Sequence, residues 1–424
     1  MKIAAVRVTP IAISDPPLLN ASGVHEPYAL RSIIEVEADN GLIGLGETYG
    51  DKPVLDALLR VKDSLAGLSP FDLNGLWQRV VAASAGTTER VSSIELELAP
   101  GSREDKKDLK TFSAFEVAFL DLQARSLELP LCDVLGGAVR RSVPFSAYLF
   151  FKFGSDIDPS YQHDPWGEVL DAEQIVAQAR TMIDRYGFGS IKLKAGALDP
   201  EHEVACLKAL KRAFPDHPLR IDPNANWSLE TATRMAEQLK SDLEYYEDPT
   251  PMLEGMATLH RATGLPLATN MVVTDLAEFR RNVTLGGAQI ILSDHHYWGG
   301  LRATQSLAAM CDTFGYGLSM HSNSHLGISL MAMSHVAATV PNLTYACDTH
   351  YPWQQDEILK GGRVPIANGC VTLTDAPGLG VELDYEALAA LHERYLSCGI
   401  TQRNDVAQMR KLRPDWTHRK PPRY

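Results

Sequence analysis

The feature that most constrains the fold is a regular alternation of short apolar strands with amphipathic helices after Val143. The pattern predicts strands at 145–151, 190–195, 219–223, 243–247, 266–271, 288–294, 317–320 and 343–346, recurring about every 25 residues. Strands that alternate with helices over this length are typical of a (β/α) barrel. A doubly wound sheet would need a glycine-rich phosphate-binding turn after its first strand, and the sequence has none there.

The two ends of the chain do not follow this repeat, and 424 residues are more than one core usually holds. Residues 2–36 predict strands interrupted by a proline-rich loop, Gly44–Gly50 predicts a turn, and 53–135 predict helices. Beyond Gly361 the pattern predicts a strand, a turn, a helix and a basic tail. This segment is too small to fold alone. We therefore predict a domain at 1–140, the barrel at 141–365, and a segment at 366–424 that completes the first domain.

Charge and cysteine usage exclude several classes of function. The formal net charge of −13 argues against sequence-independent nucleic-acid binding, which needs a basic face. No stretch approaches the length of a membrane span, and the first residues lack the apolar segment of a signal peptide. The six cysteines are scattered without a C-x-x-C pair, which favours reduced thiols. We predict a cytoplasmic enzyme with no nucleic-acid or membrane partner.

Polar side chains recur where the predicted strands end. In barrels of this kind catalytic groups follow the carboxyl ends of the strands. Successive βα units carry such groups at Lys192 and Lys194, Asp222 (with Asn224), Glu247, Asn270, Asp294 and His321. Each taken alone could be a helix N-cap or a buried structural histidine. Their recurrence on successive units predicts one site at the barrel mouth.

Lys192 and Lys194 alternate with Ile191 and Leu193, the period-two pattern of a strand buried on one face. The two lysines must share a face. If that face is buried, mutual repulsion and desolvation lower the pKa of a lysine, which makes it a usable base near neutral pH. Taken alone, the same segment is more simply explained as an exposed strand carrying two solvated lysines, and only the rest of the chain favours the buried interpretation.

The other strand-end residues suggest a metal and a second base. Asp222, Glu247 and Asn270 offer only oxygen, and hard oxygen donors without Cys or His favour Mg²⁺. A carboxylate from Asp294 would orient the His321 imidazole and raise its basicity. An amine and an imidazole would then serve as two bases for one bound substrate.

Five segments at the strand ends carry a family resemblance: Ile191-Lys192-Leu193-Lys194, Ile221-Asp222-Pro223-Asn224-Ala225-Asn226-Trp227, Tyr246-Glu247-Asp248-Pro249, Ala268-Thr269-Asn270-Met271 and His321-Ser322-Asn323-Ser324-His325. Four more accompany them: 22–27, 148–151, 348–350 and 402–405. Together they resemble the enolase superfamily, and specifically its glucarate dehydratase family, over nearly the whole chain. Asn270 as third metal ligand and Asn224 beside the first make the resemblance specific. Lys or His bases with Mg²⁺ stabilising an enediolate are the known pattern of that superfamily.

The resemblance implies a modified (β/α)7β TIM-type barrel with an α+β capping domain formed from both termini. It also implies Mg²⁺-dependent loss of water from an aldarate, D-glucarate or L-idarate, to give 5-keto-4-deoxy-D-glucarate. His321, paired with Asp294, would abstract the C5 proton of D-glucarate, and Lys194 would act from the opposite face on L-idarate. Lys192 would neutralise the carboxylate with the metal, and Asn224 would position the intermediate. We expect a homo-oligomer whose partner is a small-molecule acid sugar.

The resemblance assigns further residues to the site. The implied Mg²⁺ ligands are Asp222, Glu247 and Asn270. The implied substrate contacts are His25, Tyr148, Phe150, Lys192, Asn224, Asn270, Ser322, Asn323, His350 and Arg403. Arg403 suits a carboxylate because of its fork geometry.

Some positions depart from the family, and alternatives stay open. Ala195 replaces a glycine that is usual in the family, and residues 294–300 differ from the usual family sequence. The hydroxyl that the family places in a lid near the substrate could correspond to Ser102, in the charge run 101–108. We interpret His295, His296 and His335 as structural, and His321-x3-His325 lacks the glutamate of a zinc motif. A racemase or epimerase with the same bases, and a non-catalytic relative, are the alternative functions.

Overall fold

A parallel sheet carries the predicted site residues. The computed structural model describes residues 1–85, 106–419 and 421–424. Seven strands form this sheet: β7 Ala147–Phe150, β8 Ile191–Lys194, β9 Leu219–Asp222, β10 Leu243–Glu247, β11 Leu267–Thr269, β12 Ile290–Ser293 and β13 Gly317–Met320. They hydrogen-bond in the order β13-β12-β11-β10-β9-β8-β7. All seven lie within the predicted ranges, and each neighbouring pair in this sheet is parallel.

The eighth predicted strand, 343–346, does not form. Instead, residues 344–348 make single backbone bonds to both edges of the sheet. Thr344 and Asp348 donate to carbonyls of β13 at 3.1 and 2.8 Å, while Cys347 pairs with the segment just before β7 at 2.9 Å. Only isolated bonds join this segment to each neighbour, so no continuous ladder develops. They nevertheless close the curled sheet into a barrel.

Helices follow the strands and surround the sheet, as the repeat predicts. Asp199 and Ser228 cap their helices by accepting backbone N–H bonds, as expected from the sequence. The helix at Gly327–Thr339 is buried on all sides, since it lies between the barrel and the N-terminal domain. The barrel helices are Ala172–Tyr186, Pro200–Ala213, Leu229–Leu239, Leu253–Thr263, Leu276–Leu285, His295–Trp298, Leu301–Phe314 and Gly327–Thr339, with short 3-10 turns at Ser155–Ile157 and Tyr351–Trp353.

The N-terminal domain is an antiparallel sheet with helices, in the order β1 (Ile3–Ser14), β4 (Tyr28–Ala38), β5 (Ile43–Tyr49). A small hairpin, β2 (Leu19–Asn20) and β3 (Gly23–Val24), lies in the loop between β1 and β4. The helices are Lys52–Lys62, Leu73–Ser84, Lys106–Ser126 and Leu131–Val134, with a 3-10 turn at Asp63–Leu65. Ser102 and residues 101–105 of the charge run lie outside the described residues.

The predicted turn at Gly44–Gly50 is wrong, because most of it is β5. Its glycines serve close packing: a Cβ at Gly44 would lie 2.1 Å from the Ala118 carbonyl oxygen, and one at Gly46 2.5 Å from that of Ala114. The long helix Lys106–Ser126 therefore packs directly against the strand backbone.

The C-terminal segment contacts both parts of the molecule. Strand β14 (Cys370–Thr372) pairs with β6 (Ser142–Pro144), at the entry to the barrel. The helix Tyr385–Ser397 packs on β1, where His392 Nδ1 contacts the Pro10 carbonyl at 2.7 Å, and the helix Asp405–Leu412 lies beside β3. No helix of the described chain is long and apolar enough to span a membrane.

Candidate active site

Both lysines of β8 point into the barrel, so the exposed-strand alternative is excluded. Lys192 is fully buried, and its Nζ lies 2.7 Å from Glu247 Oε1, 2.6 Å from Asp348 Oδ2 and 3.6 Å from Asp222 Oδ2. The same ammonium lies 4.6 Å above the Tyr148 ring. Burial alone would lower the pKa of Lys192, but Asp348 and Glu247 raise it well above its usual value. The expectation of a lowered pKa is therefore wrong for Lys192, which is held as a cation.

Lys194 lies nearer the mouth of the barrel. Its Nζ contacts Asp222 Oδ2 at 2.6 Å and donates a short hydrogen bond to Asn224 Oδ1. Lys194 is 7% exposed, whereas Lys192 is 0% exposed. Of the two lysines, only Lys194 is partly accessible to solvent.

Three oxygen-bearing side chains follow neighbouring strands: Asp222 ends β9, Glu247 ends β10 and Asn270 follows β11. Both carboxylates are fully buried and both contact Lys192 Nζ within 4 Å, so they converge. Among the described residues, Glu247 Oε2 and Asn270 Oδ1 are buried acceptors without a hydrogen-bond partner. Orphaned buried acceptors are rare, and an oxygen-coordinated cation would satisfy both. This donor set fits Mg²⁺.

The electrostatics of the carboxylates favour the same fit. Burial raises the pKa of Glu247 well above its usual value, Lys192 works the other way, and Asp222 adds to the increase. Burial opposes ionisation of Asp222 as well, yet Lys194 and Lys192 keep the pKa of that carboxyl below normal. A divalent cation would stabilise the charge on both groups.

Asp248 was not predicted, and it positions Asn270. Its Oδ2 accepts from the Asn270 backbone N–H at 3.0 Å and its Oδ1 from the Thr269 hydroxyl at 2.5 Å. Burial, followed by Asp222, raises the pKa of Asp248 to about 7. Its backbone φ of 34° lies in the left-handed region, a strained conformation that the surrounding contacts must maintain.

Asp294 joins two histidines. Its Oδ2 lies 3.1 Å from His321 Nδ1, as predicted for an orienting carboxylate, and its Oδ1 lies 2.7 Å from His296 Nδ1. Burial works against the charge, but His296 and His321 hold the pKa of Asp294 well below its usual range. A carboxylate oxygen of Asp294 and ring nitrogens of His295 and His296 lie within 4.8 Å of one another, close enough to hold a metal ion. The atoms of Asp294 and His296, however, are already engaged in hydrogen bonds.

The interpretation of His296 as a structural residue without a partner is therefore incomplete. Besides Asp294, its Nε2 contacts Ser329 Oγ at 2.9 Å and Arg31 Nη2 at 3.2 Å. Arg31 in turn donates to Glu47 at 2.9 Å, which links the N-terminal sheet to the acid–base pair. His335 does have a structural partner, because its Nδ1 accepts from the Cys132 backbone at 3.1 Å.

The two candidate bases follow strands that are far apart in the barrel. Lys194 ends β8 and His321 follows β13, with β9–β12 between them along the sheet. In the other direction, β7 and the closing segment 344–348 separate them. The three oxygen donors follow β9, β10 and β11, on the longer arc between the bases.

Aromatic rings line the same mouth on the β7 side. His350 lies 4.9 Å from Tyr148 and 5.0 Å from Phe150 between ring centroids, and it stacks on His25 at 6.3 Å. Burial and then His25 keep the pKa of His350 well below normal, and its Nδ1 lacks a hydrogen-bond partner in the described chain. Ser322 Oγ fixes this segment by accepting from the His350 backbone at 3.1 Å. The structure thus brings five of the expected substrate contacts together.

Arg403 and Asn323 lie at the edge of this group and are already engaged. Arg403 makes a two-pronged contact with Asp405, at 2.7 Å for each bond, and its Nη1 lies 3.9 Å from Asp15 Oδ2. Asp15 also holds His25 Nδ1 at 3.0 Å, so Asp15 connects these two expected contacts. Asn323 donates to the Tyr49 hydroxyl at 2.8 Å.

Asp348 is the main residue that sequence reasoning missed. It is fully buried, it binds Lys192, and its other oxygen lies 3.6 Å from the buried Arg220 guanidinium. It follows the predicted eighth strand by two residues, so the strand-end rule applied to that strand would have found it. Asp248 and His296 follow strand-end residues by one and two positions and gave no such signal.

A barrel with buried cations, clustered oxygen donors and a carboxylate–imidazole pair at its mouth is suited to acid–base chemistry with a metal. The chain belongs to the enolase superfamily: residues 174–388 match the family described as enolase C-terminal domain-like. It is 49% identical over 428 residues to a Streptomyces coelicolor protein named "Probable glucarate dehydratase", covering 100% of this chain and 99% of that protein.

Solved structures agree in fold. An enolase from Pseudomonas fluorescens with bound magnesium, potassium and tartrate is 66% identical, with a TM-score of 0.96 over 100% of this chain and 99% of that one. An enolase from Gibberella zeae in complex with magnesium, formate and sulfate is 46% identical, with a TM-score of 0.95 over 100% and 97%. These matches confirm the predicted barrel with its capping domain.

Proposed function

We propose that this chain is a Mg²⁺-dependent hydro-lyase that dehydrates an aldarate, D-glucarate and also L-idarate, to 5-keto-4-deoxy-D-glucarate. The observation that carries the proposal is the arrangement at the mouth. Lys194 and the His321–Asp294 pair follow distant strands, with the oxygen donors Asp222, Glu247 and Asn270 on the arc between them. Two relatives support the substrate class: one is named for glucarate, and another holds magnesium with tartrate, a hydroxylated dicarboxylate.

Proton abstraction is the difficult step, because a proton beside a carboxylate is very weakly acidic. Asp294 accepts the Nδ1 hydrogen of His321, which leaves the Nε2 lone pair available to take the C5 proton. The charge that develops on the substrate carboxylate needs electrostatic stabilisation. Bound Mg²⁺ would supply a Lewis acid there, held by Asp222, Glu247 and Asn270.

Lys192 supports the same charge from the protein side. It is a fixed buried cation, so it stabilises the enediolate without reorganisation during the reaction. Collapse of the enediolate breaks the C4–O bond, and the proton held by His321 can pass to the departing hydroxyl to form water. The resulting enol becomes the 5-keto group. For L-idarate, Lys194 takes the C5 proton from the other face, and the proton it then holds can pass to the departing hydroxyl to form water in the same way.

The remaining residues are proposed to hold the substrate. Asn224 would position the intermediate beside Lys194, since it already contacts that ammonium. Arg403 can meet the second carboxylate with Nη1, because Asp405 occupies its other two donors. The other proposed contacts are His25, Tyr148, Phe150, Ser322, Asn323 and His350.

An epimerase or racemase of the same superfamily is the second candidate, because it would use the same two bases without a leaving hydroxyl. The test is incubation with Mg²⁺ and a panel of aldarates and aldonates in D2O. Ketone formation from D-glucarate supports dehydration. Deuterium uptake at C5 without ketone would support epimerisation, and neither signal from any substrate would indicate a non-catalytic relative. A cytoplasmic location, a role in acid-sugar catabolism and a homo-oligomeric assembly stay predictions.

A further inference from the structure

The backbone beside Lys194 adopts an unfavourable conformation. Asn224 and Ala225 have φ values of 54° and 58°, in the left-handed region that non-glycine residues rarely adopt. Asn224 is also the residue whose side-chain oxygen contacts Lys194 Nζ. Backbone in this region persists only where neighbouring contacts enforce it, so those contacts control where the Asn224 amide lies.

Asn226 supplies one of these contacts and joins two catalytic loops. It is fully buried, and its Nδ2 donates to the Gly196 carbonyl at 2.5 Å, in the loop directly after Lys194. Its own backbone N–H donates to the Pro223 carbonyl at 3.0 Å. The loop after β8 and the loop after β9 are therefore tied together through one side chain.

Residues 423–424, distant in sequence, hold Asn226 from the other side. The Arg423 N–H lies 2.8 Å from the Asn226 carbonyl oxygen and 3.1 Å from Asn226 Oδ1, and the Tyr424 N–H lies 3.1 Å from the same carbonyl. A main-chain oxygen of Tyr424 accepts from the Ser228 N–H at 2.6 Å, which extends the contact to the N-cap of the next helix. Residues 423–424 are thus hydrogen-bonded to the backbone that follows β9.

We propose that residues 423–424, acting through Asn226, position Lys194 and Asn224 and so determine activity on the Lys194 face of the substrate. These are positioning residues, because their hydrogen bonds go to the loops after β8 and β9 and to none of the proposed bases or metal ligands. The proposal rests on the proposed two-base function, whose other base has separate support. Asp294 and His321 are held by His296, Ser329 and Arg31. Within the described ranges, no hydrogen bond or ion pair joins 423–424 to that second group.

The experiment removes Arg423 and Tyr424 from the enzyme, so that the chain stops at Pro422, and compares two rates with Mg²⁺ in D2O. The two rates are the turnover of L-idarate, on the Lys194 face, and of D-glucarate, on the His321 face. Because misplacement of a catalytic group by about 1 Å can cost on the order of 100-fold, we expect the L-idarate rate to fall about tenfold or more relative to the D-glucarate rate. Equal losses on both faces, or no loss on either, would overturn the proposal.

Matched variants separate positioning from general destabilisation. Asn226→Ala breaks the same link inside the barrel and should also lower L-idarate turnover relative to D-glucarate turnover. This variant tests the proposal even if the truncated chain fails to fold. Lys411→Ala removes another C-terminal contact, to Asp158 at 2.7 Å, that does not touch these loops. It should leave both rates at the wild-type level. His296→Asn acts on the Asp294 side and should give the opposite asymmetry, with D-glucarate turnover the more reduced.

A second readout does not depend on the substrate. Amide hydrogen exchange measured by mass spectrometry on the substrate-free enzyme should speed up in 194–198 and 223–227 after truncation, while 293–297 and 319–323 stay unchanged. Unchanged exchange at 194–198 and 223–227 would overturn the proposal even if the wild type turns over both acids. If the wild type acts on neither acid, the proposed function fails, and this readout alone then decides whether 423–424 hold the loops.

Discussion

The Asp294→Asn variant tests the chemistry of the His321 face, and the structure dictates how the new amide must lie. Asp294 Oδ1 accepts from the backbone N–H of His296 at 2.9 Å, and a backbone N–H can only donate. The carbonyl oxygen of the asparagine must therefore occupy the Oδ1 position. Its NH2 group then points at His321 Nδ1, where Oδ2 now accepts.

This orientation reverses the tautomer of His321. With a donor facing Nδ1, that nitrogen must present its lone pair, and the hydrogen moves to Nε2. The nitrogen facing the substrate then cannot accept the C5 proton. General-base contributions are about 10²–10⁴-fold, so we expect kcat on D-glucarate to fall by that factor, equivalent to about 3–5 kcal/mol of barrier.

The assay follows ketone formation from D-glucarate and C5 deuterium exchange in D2O, with L-idarate as the internal control. Lys194 does not contact Asp294, so L-idarate turnover should change by less than about tenfold. A parallel fall on both substrates would refute the tautomer argument, since it would indicate general damage to the site. So would D-glucarate turnover that stays within about tenfold of the wild type.

Three further predictions concern the buried charges. Asp348→Asn should reduce turnover of both acids together, because Lys192 serves both faces, and should destabilise the fold by about 3 kcal/mol in chemical unfolding; an effect confined to one acid would contradict this. Asn270→Ala should weaken Mg²⁺ binding about 10–100-fold in calorimetric titration, and EDTA should abolish exchange on both faces until Mg²⁺ is returned; wild-type affinity would remove Asn270 from the ligand set. Burial lowers the pKa of His335 to about 4, so the neutral imidazole contributes fully to the free energy of unfolding above the unfolded pKa of about 6.5. This contribution, on the order of 3 kcal/mol, is lost as the pH falls towards 4. His335→Gln should therefore flatten the loss of unfolding free energy between pH 7 and 4.5, and an unchanged slope would contradict the prediction.

The strand-end residues could be found from the sequence because a barrel places one such position on every βα unit. Lys194, Asp222, Glu247, Asn270, Asp294 and His321 all lie at or just beyond the ends of observed strands. The period-two pattern of β8 was enough to place both lysines on the same face. A strand pattern encodes the direction of its side chains, and that direction was predicted correctly, whereas the pattern by itself left the burial of the two lysines open.

The features that the sequence did not predict depend on contacts between elements distant in sequence. The raised pKa of Lys192 depends on Asp348, which arrives from a closing segment that forms no regular strand. The role of His296 depends on Arg31, which comes from the other domain. Gly44 and Gly46 suggested a turn, but they are small because a helix lies against them. Tertiary contacts of this kind leave no periodic signal along the chain.

The reciprocal pair His321→Asn and Lys194→Ala tests most directly whether two separate bases serve one substrate carbon. With Mg²⁺ in D2O, we predict that His321→Asn loses D-glucarate turnover but retains L-idarate exchange, and that Lys194→Ala shows the reverse. If each substitution abolished reaction with both acids, both residues would be required for every substrate, and the proposal that each serves a separate face of the substrate carbon would be wrong.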